Sequence, residues 1–483
     1  MFNYYTISQF RGPATGLPAD RAISRSYILG STLSGLLLAL AYPNFNLWWL
    51  AWIALVPFFY FLYKVKGWKQ AGWCGFVFGV TFFSINLFWI TTLFRFVGWW
   101  AVVGWVCLTV FQSIFISLFS IFYALFSNKQ TNRLTNFLVL PTLWTITEIL
   151  RAWGPFGLPS GVVGYTQASF LPLIQIASFT TVYGVSFIVV MVNAALTPGP
   201  SPKGRGGVRT LFIVILLITI VIAYGDTTIR HSSLVISHFP KLALIQPNID
   251  QMDKMDPRKV NEIFNIHEEL TRQATKEQPA IIIWPETAIF SYLLRDPALL
   301  PRIQSLAKES EAWLIIGTPH YTVDGNAYNS LVSISPSGEV VSRYDKQRLV
   351  PFGEYLPFKP LLYPFLKGTG FFDQGFDVNG NISPVIAGNY QIAAAICFES
   401  TFPDTIKARV GEKTDFILTV TNDGWFGSSS APYFHFNHGI FRAIENRKYF
   451  IQVGNTGISG VIDPYGRVLR RSTLGKRQVL IYN

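Results

Sequence analysis

Three residues set far apart in the chain have the side chains of one nucleophilic site: Glu286, Lys346 and Cys397. Cys397 closes the apolar run Ile392-Ala-Ala-Ala-Ile-Cys397, and Glu399 follows two places on. A buried strand that delivers a thiol at its C-terminal end holds a nucleophile at a rigid position. The same pattern suits a small buried hydrophobe. Glu286 follows the apolar run 280–284 and Pro285. There, partial desolvation would raise its pKa and suit it to shuttling a proton, although a helix-capping or salt-bridged carboxylate fits as well. Lys346 stands after Tyr344-Asp345 and before Pro351-Phe-Gly-Glu-Tyr355, and on its own it is equally a solvated charge. Brought together, the three make a chemistry. The carboxylate takes the thiol proton, the ammonium favours thiolate and steadies an oxyanion, and the cysteine carries an acyl group.

The rest of the chain has to position these groups. Of 483 residues, 50% are hydrophobic and only 14% charged, well below the roughly 25% charged of a soluble domain. The charges are sparse before about residue 225 and ordinary after it, which divides the chain into a membrane half and a water-soluble half. Apolar runs of about the 20 residues a bilayer requires recur at 27–42, 47–63, 71–94, 97–126, 134–150, 170–196 and 211–224, predicting seven helical spans. Lys and Arg collect in alternate loops: Arg11, Arg21 and Arg25; Lys64, Lys66 and Lys69; Lys129 and Arg133; Lys203, Arg205 and Arg209. With positive loops inside, the N-terminus is cytoplasmic and everything after the seventh span is outside.

The net charge of +12 is therefore largely a topology signal, and no basic run interleaved with aromatics points to nucleic acid. The three cysteines form neither a disulfide framework nor a metal-spaced cluster. His435 and His438 lie three apart with no third ligand in view, so a structural or substrate-contacting role is expected rather than a metal site. The segment 197–207 is a Pro/Gly/Lys-rich cytoplasmic linker. The outside loop 148–167 is either an ordinary surface connection or a structured element under the site.

From Lys241 the pattern changes to short apolar strands (242–246, 280–284, 312–317, 329–334, 392–397, 416–421 and 450–455) alternating with helices at 259–276 and 298–310. Such alternation predicts an α/β layer fold whose strand C-termini carry the chemistry.

Several segments then match a known family. Among them are Trp284-Pro-Glu-Thr287, Tyr328-Asn-Ser330, Tyr344-Asp-Lys346, Leu349-Val-Pro-Phe-Gly-Glu-Tyr-Leu-Pro357, Cys397-Phe-Glu399, Thr421-Asn-Asp-Gly-Trp-Phe-Gly427 and Arg442-Ala-Ile-Glu-Asn446. The soluble half resembles the nitrilase superfamily, and with the preceding spans the chain resembles its membrane branch, the apolipoprotein N-acyltransferases. The resemblance implies a multi-pass helical membrane domain followed by an αββα sandwich outside the membrane. The expected divisions are a cytoplasmic tail at 1–26, a transmembrane domain at 27–226 and a catalytic domain at 227–483. It implies Glu286 as general base, Lys346 as oxyanion and thiolate stabiliser and Cys397 as nucleophile. The backbone N–H of Phe398 would be a second oxyanion donor, Glu354 and Glu399 would orient the site, and Trp425, Asn329 and Tyr355 would contact substrate.

The implied reaction passes an acyl chain from a phospholipid to Cys397, then to the N-terminal amine of a diacylglyceryl apolipoprotein, in a bacterial plasma membrane. It needs no metal or organic cofactor, and the expected enzyme is a monomer. The sequence departs from the family in three places: no apolar run follows Arg470, where family members usually carry a further span, Arg447-Lys448 follows the Arg442 run, and the linker 197–207 is longer and more basic than the family leads one to expect. Two other readings remain open at this stage: a membrane-tethered amidase using the same three residues, and a lipid-binding protein on a degenerate scaffold.

Overall fold

A computed structural model of the protein describes residues 19–126, 133–198, 205–232, 239–367 and 375–483. The tail 1–18 and most of the linker segment 197–207 lie outside them. The first half is helical: α1 (Ala19–Leu40), α2 (Val56–Lys64), α3 (Trp68–Asn86), α4 (Phe94–Val97), α5 (Trp99–Phe126), α6 (Arg133–Ala152), α7 (Leu171–Ile174), α8 (Ala177–Leu196) and α9 (Arg205–Arg230). All seven apolar runs are thus helical, but they differ in reach. Among the described residues, α5, α8 and residues 209–230 are long and apolar enough to cross a bilayer alone, and α3 meets the same measure only together with 88–97, from which it is bent by 50°. The second run is broken, because a 3-10 turn at Trp48–Trp52 precedes α2, which opens on Pro57. The loop 148–167 is a structured element: Val163–Gln167 is a buried 3-10 turn whose Val163 N–H donates to Glu148 Oε1 at 2.8 Å.

The second half contains β1 (Leu242–Gln246), α10 (Gln251–Lys254), α11 (Val260–Thr275), β2 (Ile281–Ile283), α12 (Leu299–Ser310), β3 (Trp313–Tyr321), β4 (Ala327–Ile334), β5 (Val340–Asp345), α13 (Lys359–Leu366), β6 (Val385–Ala387) and β7 (Tyr390–Ile396). It continues with α14 (Pro403–Lys407), β8 (Phe416–Thr421), α15 (Ala431–Asn446), β9 (Tyr449–Gly454), β10 (Gly460–Ile462), β11 (Val468–Arg471) and β12 (Gln478–Tyr482). The strands form two six-stranded sheets, β12-β1-β2-β3-β4-β5 and β11-β10-β9-β8-β7-β6. Each has a parallel centre, β1-β2-β3 and β7-β8-β9, flanked by antiparallel strands.

Side chains alternate along each strand, so one face of each sheet meets the other sheet and the opposite face meets helices. Leu242, Leu244, Ile283 and Ile315 pack against Ile392, Ala394, Ile396 and Leu418 in the space between the sheets. Ala243, Ile245 and Ile282 face α11 and α12 with Phe264 and Ile303. Ala393, Ala395 and Ile417 face α15, and beyond it Leu173, Val182 and Val185 of the helical half join the same core. The layers are therefore helix, sheet, sheet, helix, with the second helical layer continuous with α7 and α8.

Topology explains why the site forms at one edge. In both parallel centres the C-terminal ends point the same way, and β5 regains the direction of β3 after two antiparallel steps. The ends of β2, β5, β7 and β8 thus converge, and all three chemistry-bearing residues leave from them.

Candidate active site

Glu286 leaves β2 through Trp284-Pro285, and Gly317 of β3 makes room for it. A Cβ at Gly317 would lie 2.4 Å from the Pro285 carbonyl oxygen and 2.7 Å from Glu286 Cα. The carboxylate is buried and held at both oxygens. Oε1 accepts from Asn329 Nδ2 at 2.8 Å and from Lys346 Nζ at 3.4 Å, and Oε2 accepts from the Asn422 N–H at 2.8 Å. These donors aim the carboxylate and leave its ionised form supplied with partners.

Lys346 follows β5 and its ammonium is fully buried, which is tolerable only with acceptors around it. Nζ donates to Glu354 Oε1 at 2.8 Å and to Glu286 Oε1 at 3.4 Å. Burial would pull its pKa down, but the Glu354 and Glu286 carboxylates override that and hold the ammonium above the usual lysine range. Asn329 ties the two acids together, donating to Glu354 Oε1 at 2.9 Å as well as to Glu286. Glu354 also accepts the Val350 N–H at 2.8 Å, which fixes the loop it sits on.

Cys397 sits where β7 turns into the 3-10 segment Cys397–Thr401, with φ +52°, a left-handed conformation that is uncommon for a side-chain-bearing residue. Such a strand-to-helix corner presents the thiol outward from the sheet edge. Glu399 braces the corner from below. Fully buried, it accepts from the Ile396, Gln347 and Arg348 N–H groups at 2.8, 2.8 and 3.0 Å and from the Tyr344 hydroxyl, and it pairs with Arg409 at 2.7 Å. Burial would raise the Glu399 pKa, but Arg409 and these donors hold it below the usual range. The result is a bolt between the cysteine turn and the main chain just past Lys346. The Cys397 thiol itself is pushed well above its ordinary pKa, by burial and then by the Glu286 charge, against the pull of Lys346. Its resting form is the thiol, so a base is needed to activate it.

The structure therefore brings Glu286, Lys346, Cys397, Glu354 and Asn329 into one site, with Glu399 directly beneath. Phe398 follows the nucleophile in the same turn, its ring against Phe402 at 4.8 Å. Tyr355 contributes its main-chain carbonyl, accepting from Phe352 N–H at 2.8 Å. Trp425 lies at the junction of the halves, edge-on to Phe96 at 5.0 Å, with its carbonyl accepting from Thr92 Oγ1 at 3.4 Å. The neighbouring Phe426 meets Trp89 at 4.9 Å.

Of the other groups at the site, Lys254 and Asp423 were not singled out from sequence, whereas His435 was expected in a structural or substrate-contacting role. Lys254, in the short charged helix α10, looks solvated in the sequence but is buried, its Nζ donating to the Glu286 carbonyl at 2.9 Å. Burial draws its pKa down to about 7, against the Glu286 and Cys397 charges. Asp423 and His435 lie beneath the cysteine, and one donor atom from each of Cys397, Asp423 and His435 falls within 4.8 Å of the others. Both ring nitrogens of His435 are spent in hydrogen bonds, on Asp423 Oδ1 at 3.0 Å and on the Cys397 carbonyl at 3.0 Å, so the trio is built as a hydrogen-bonded support rather than a ligand set. His438 faces away from it, its ring 4.0 Å from that of Tyr165.

The arrangement is a desolvated thiol beside a fixed carboxylate and a fixed ammonium, at the border of a helical apolar half. Comparison with known proteins agrees with that division. Residues 34–195 match the family described as the apolipoprotein N-acyltransferase N-terminal domain, and residues 241–483 match carbon-nitrogen hydrolase. Apolipoprotein N-acyltransferase of Geobacter metallireducens is 35% identical, over 96% of this chain and 90% of that protein. The Rickettsia typhi protein of the same name is 30% identical over 93% of this chain and 89% of its own length. Among solved structures, Saccharomyces cerevisiae Nit3 of the nitrilase superfamily is 15% identical with a TM-score of 0.40, covering 50% of this chain and 88% of that one.

Proposed function

The chain belongs to the apolipoprotein N-acyltransferase family, and on that premise we propose how its site works: Cys397 carries an acyl chain from a phospholipid to the N-terminal amine of a diacylglyceryl apolipoprotein. The observation that carries the reading is the contact set of Glu286, Lys346, Asn329 and Glu354 beside a thiol that is protonated at rest.

In the first half-reaction Glu286 takes the thiol proton as sulfur attacks the lipid ester carbonyl. The C–S bond forms, the ester C–O bond breaks, and the proton on Glu286 passes to the departing lysophospholipid oxygen. In the second, the neutral amine attacks the thioester. The C–N bond forms, Glu286 receives the amine proton, the C–S bond breaks, and that proton returns to sulfur. Lys346 and the Phe398 N–H steady the oxyanion in both steps. Lys346 stays an ammonium throughout, because Glu354 holds it charged even while Glu286 is protonated.

Residues 27–226 form the membrane part in this reading and 227–483 the catalytic part, on the outer face of a bacterial plasma membrane, with residues 1–26 cytoplasmic. Trp425, between Phe96 and the Asp423 turn, is suited to the rim where lipid enters. No metal or organic cofactor enters either step. The enzyme is expected to act as a monomer.

The test is to mix purified protein with phospholipid vesicles and analyse the Cys397 peptide by mass spectrometry. An acyl mass on Cys397, absent from Cys397→Ala, is the expected result. No adduct in the wild type would refute the reading. An adduct that yields only fatty acid when a diacylglyceryl peptide is added would favour hydrolysis by a membrane-tethered amidase.

A further inference from the structure

The nucleophile turn rests on a buried pair that the two half-reactions leave unused. His435 on α15 is buried, and its Nε2 lies 3.0 Å from the Cys397 carbonyl oxygen and 2.8 Å from Ser400 Oγ. Ser400 Oγ spends its own proton on that same carbonyl at 3.0 Å, so toward the ring it is an acceptor. A carbonyl only accepts, so Nε2 carries a hydrogen. On the other side, Nδ1 faces Asp423 Oδ1 at 3.0 Å and Thr421 Oγ1 at 3.3 Å, and the Thr421 hydroxyl donates its proton to that same carboxylate oxygen at 3.1 Å. An ionised carboxylate also only accepts, so Nδ1 carries a hydrogen too. Asp423 Oδ2 is buried with no hydrogen-bond partner among the described residues, and a buried carboxylate with an oxygen left unpaired is stabilised by a cation beside it. Burial would lower the His435 pKa, but the Asp423 charge and hydrogen bond raise it instead, in agreement with the hydrogen count.

We propose that His435 is a positioning residue of the acyl transfer: an imidazolium clamped between Asp423 and the Cys397 main-chain carbonyl, it cancels the Asp423 charge beneath the thiol and pins the nucleophile turn. The proposal rests on Cys397 being the acyl carrier. Its electrostatic logic follows from what faces the thiol. Glu286 and Lys346 come from the other sheet, and Asp423 and His435 from its own side. Facing the ring are Asp423, Glu286 and, on the same helix, His438, which burial and Arg442 keep neutral. The Asp423 charge adds to the effects that raise the thiol pKa, and a cation at His435, in contact with Asp423, offsets that contribution while Lys346 acts from the other sheet. The same offset favours the thiolate that leaves in the second half-reaction. The hydrogen bond to the carbonyl holds Cys397 at its left-handed φ, where the thiol clears the sheet edge.

His435→Gln separates charge from shape, since an amide nitrogen can still donate to the Cys397 carbonyl. The readout is the rate of iodoacetamide alkylation of the Cys397 peptide at pH 8, which requires no lipid and so does not depend on the acyl-transfer reading. His435→Gln is expected to slow alkylation about tenfold, one pKa unit, and to slow acyl-adduct formation by a similar factor. Asp423→Asn, which removes the opposing charge, is expected to alkylate at least as fast as wild type. A site merely loosened by mutation would move both variants the same way. Unchanged alkylation in His435→Gln, or an Asp423→Asn variant slowed like it, overturns the proposal. Thermal melts report whether each variant folds, and should His435→Gln fail to fold, the Asp423→Asn rate alone decides.

Discussion

At the residue scale, the site is a matter of which charges are kept and which are removed. Glu286→Gln keeps the acceptor toward Asn329 and Lys346 but cannot take a proton. Acyl-adduct formation is expected to fall by about a hundredfold or more, read as adduct per minute on Cys397; a wild-type rate would remove Glu286 from the role of base. Lys254 gives a test that needs no substrate. Its pKa is about 7 in the folded protein against 10.5 ordinarily, so between those values the unfolded chain binds more protons. Stability therefore rises with pH across that window, and the full penalty stands below about pH 7. Relative to Lys254→Met, which does not titrate there, the wild-type melting temperature should climb by several degrees from pH 6.5 to 9.5. Parallel profiles would contradict a buried, partly neutral lysine. At this scale the sequence was informative about residue types and silent about partners. Glu286 and Cys397 were visible because one follows and the other closes an apolar run, and Lys346 through the segments Tyr344-Asp-Lys346 and Leu349–Pro357 that resemble the family. Lys254 was not, because four residues of charged helix look solvated until the fold buries them, and Asp423 and His435 are joined only by the meeting of β8 and α15.

At the element scale, the cysteine turn is held by what lies under it. Glu399 gathers donors from β5, from β7 and from the chain past Lys346, with Arg409 as its counter-charge. Arg409→Met leaves that carboxylate buried and unpaired, a loss of about 3–5 kcal/mol. The expected result is a melting temperature lowered by roughly 6–20 °C together with slower acylation; a change within one degree would show that the bolt carries no strain. The strands with an apolar face on each side, such as β1, β7 and β8, were legible within a residue or two. The strands β5, β11 and β12 were not, because they lie at sheet edges with polar or half-exposed residues such as Ser342 and Arg470, and edge strands lack the continuous apolar run that marks a central one. The expected alternation of strands and helices thus gave the layer type, while the pairing into two equal sheets follows from these unrecognised strands.

At the scale of the whole molecule, the two halves share one core and one polar clamp. Arg442 on α15 donates to the Thr401 carbonyl at the end of the cysteine turn and to the Tyr165 hydroxyl of the helical half. Glu445 pairs with Arg442 and accepts the Val182 N–H beside the break in α8 at Thr181. The helical half is itself packed at small residues: a Cβ at Gly225 of α9 would lie 1.8 Å from the Pro172 carbonyl of α7. Gly225→Leu is expected to lower the melting temperature in detergent by at least several degrees, and an unchanged melt would show that α9 shifts freely on α7. The division into halves was legible from charge density alone. The number of crossings was less so, because composition does not reveal where a run breaks into a 3-10 turn, as at Trp48–Trp52, or bends, as after Asn86. The central claim is that a single thiol links lipid to protein, and one measurement addresses it directly. Acylate the enzyme with phospholipid carrying a deuterated chain, remove the lipid, and add a diacylglyceryl-cysteine peptide. The account predicts that the labelled chain leaves Cys397 and appears as an amide on the peptide's α-amine in equal amount. Label that remains on Cys397, or that appears only as free fatty acid, would contradict it.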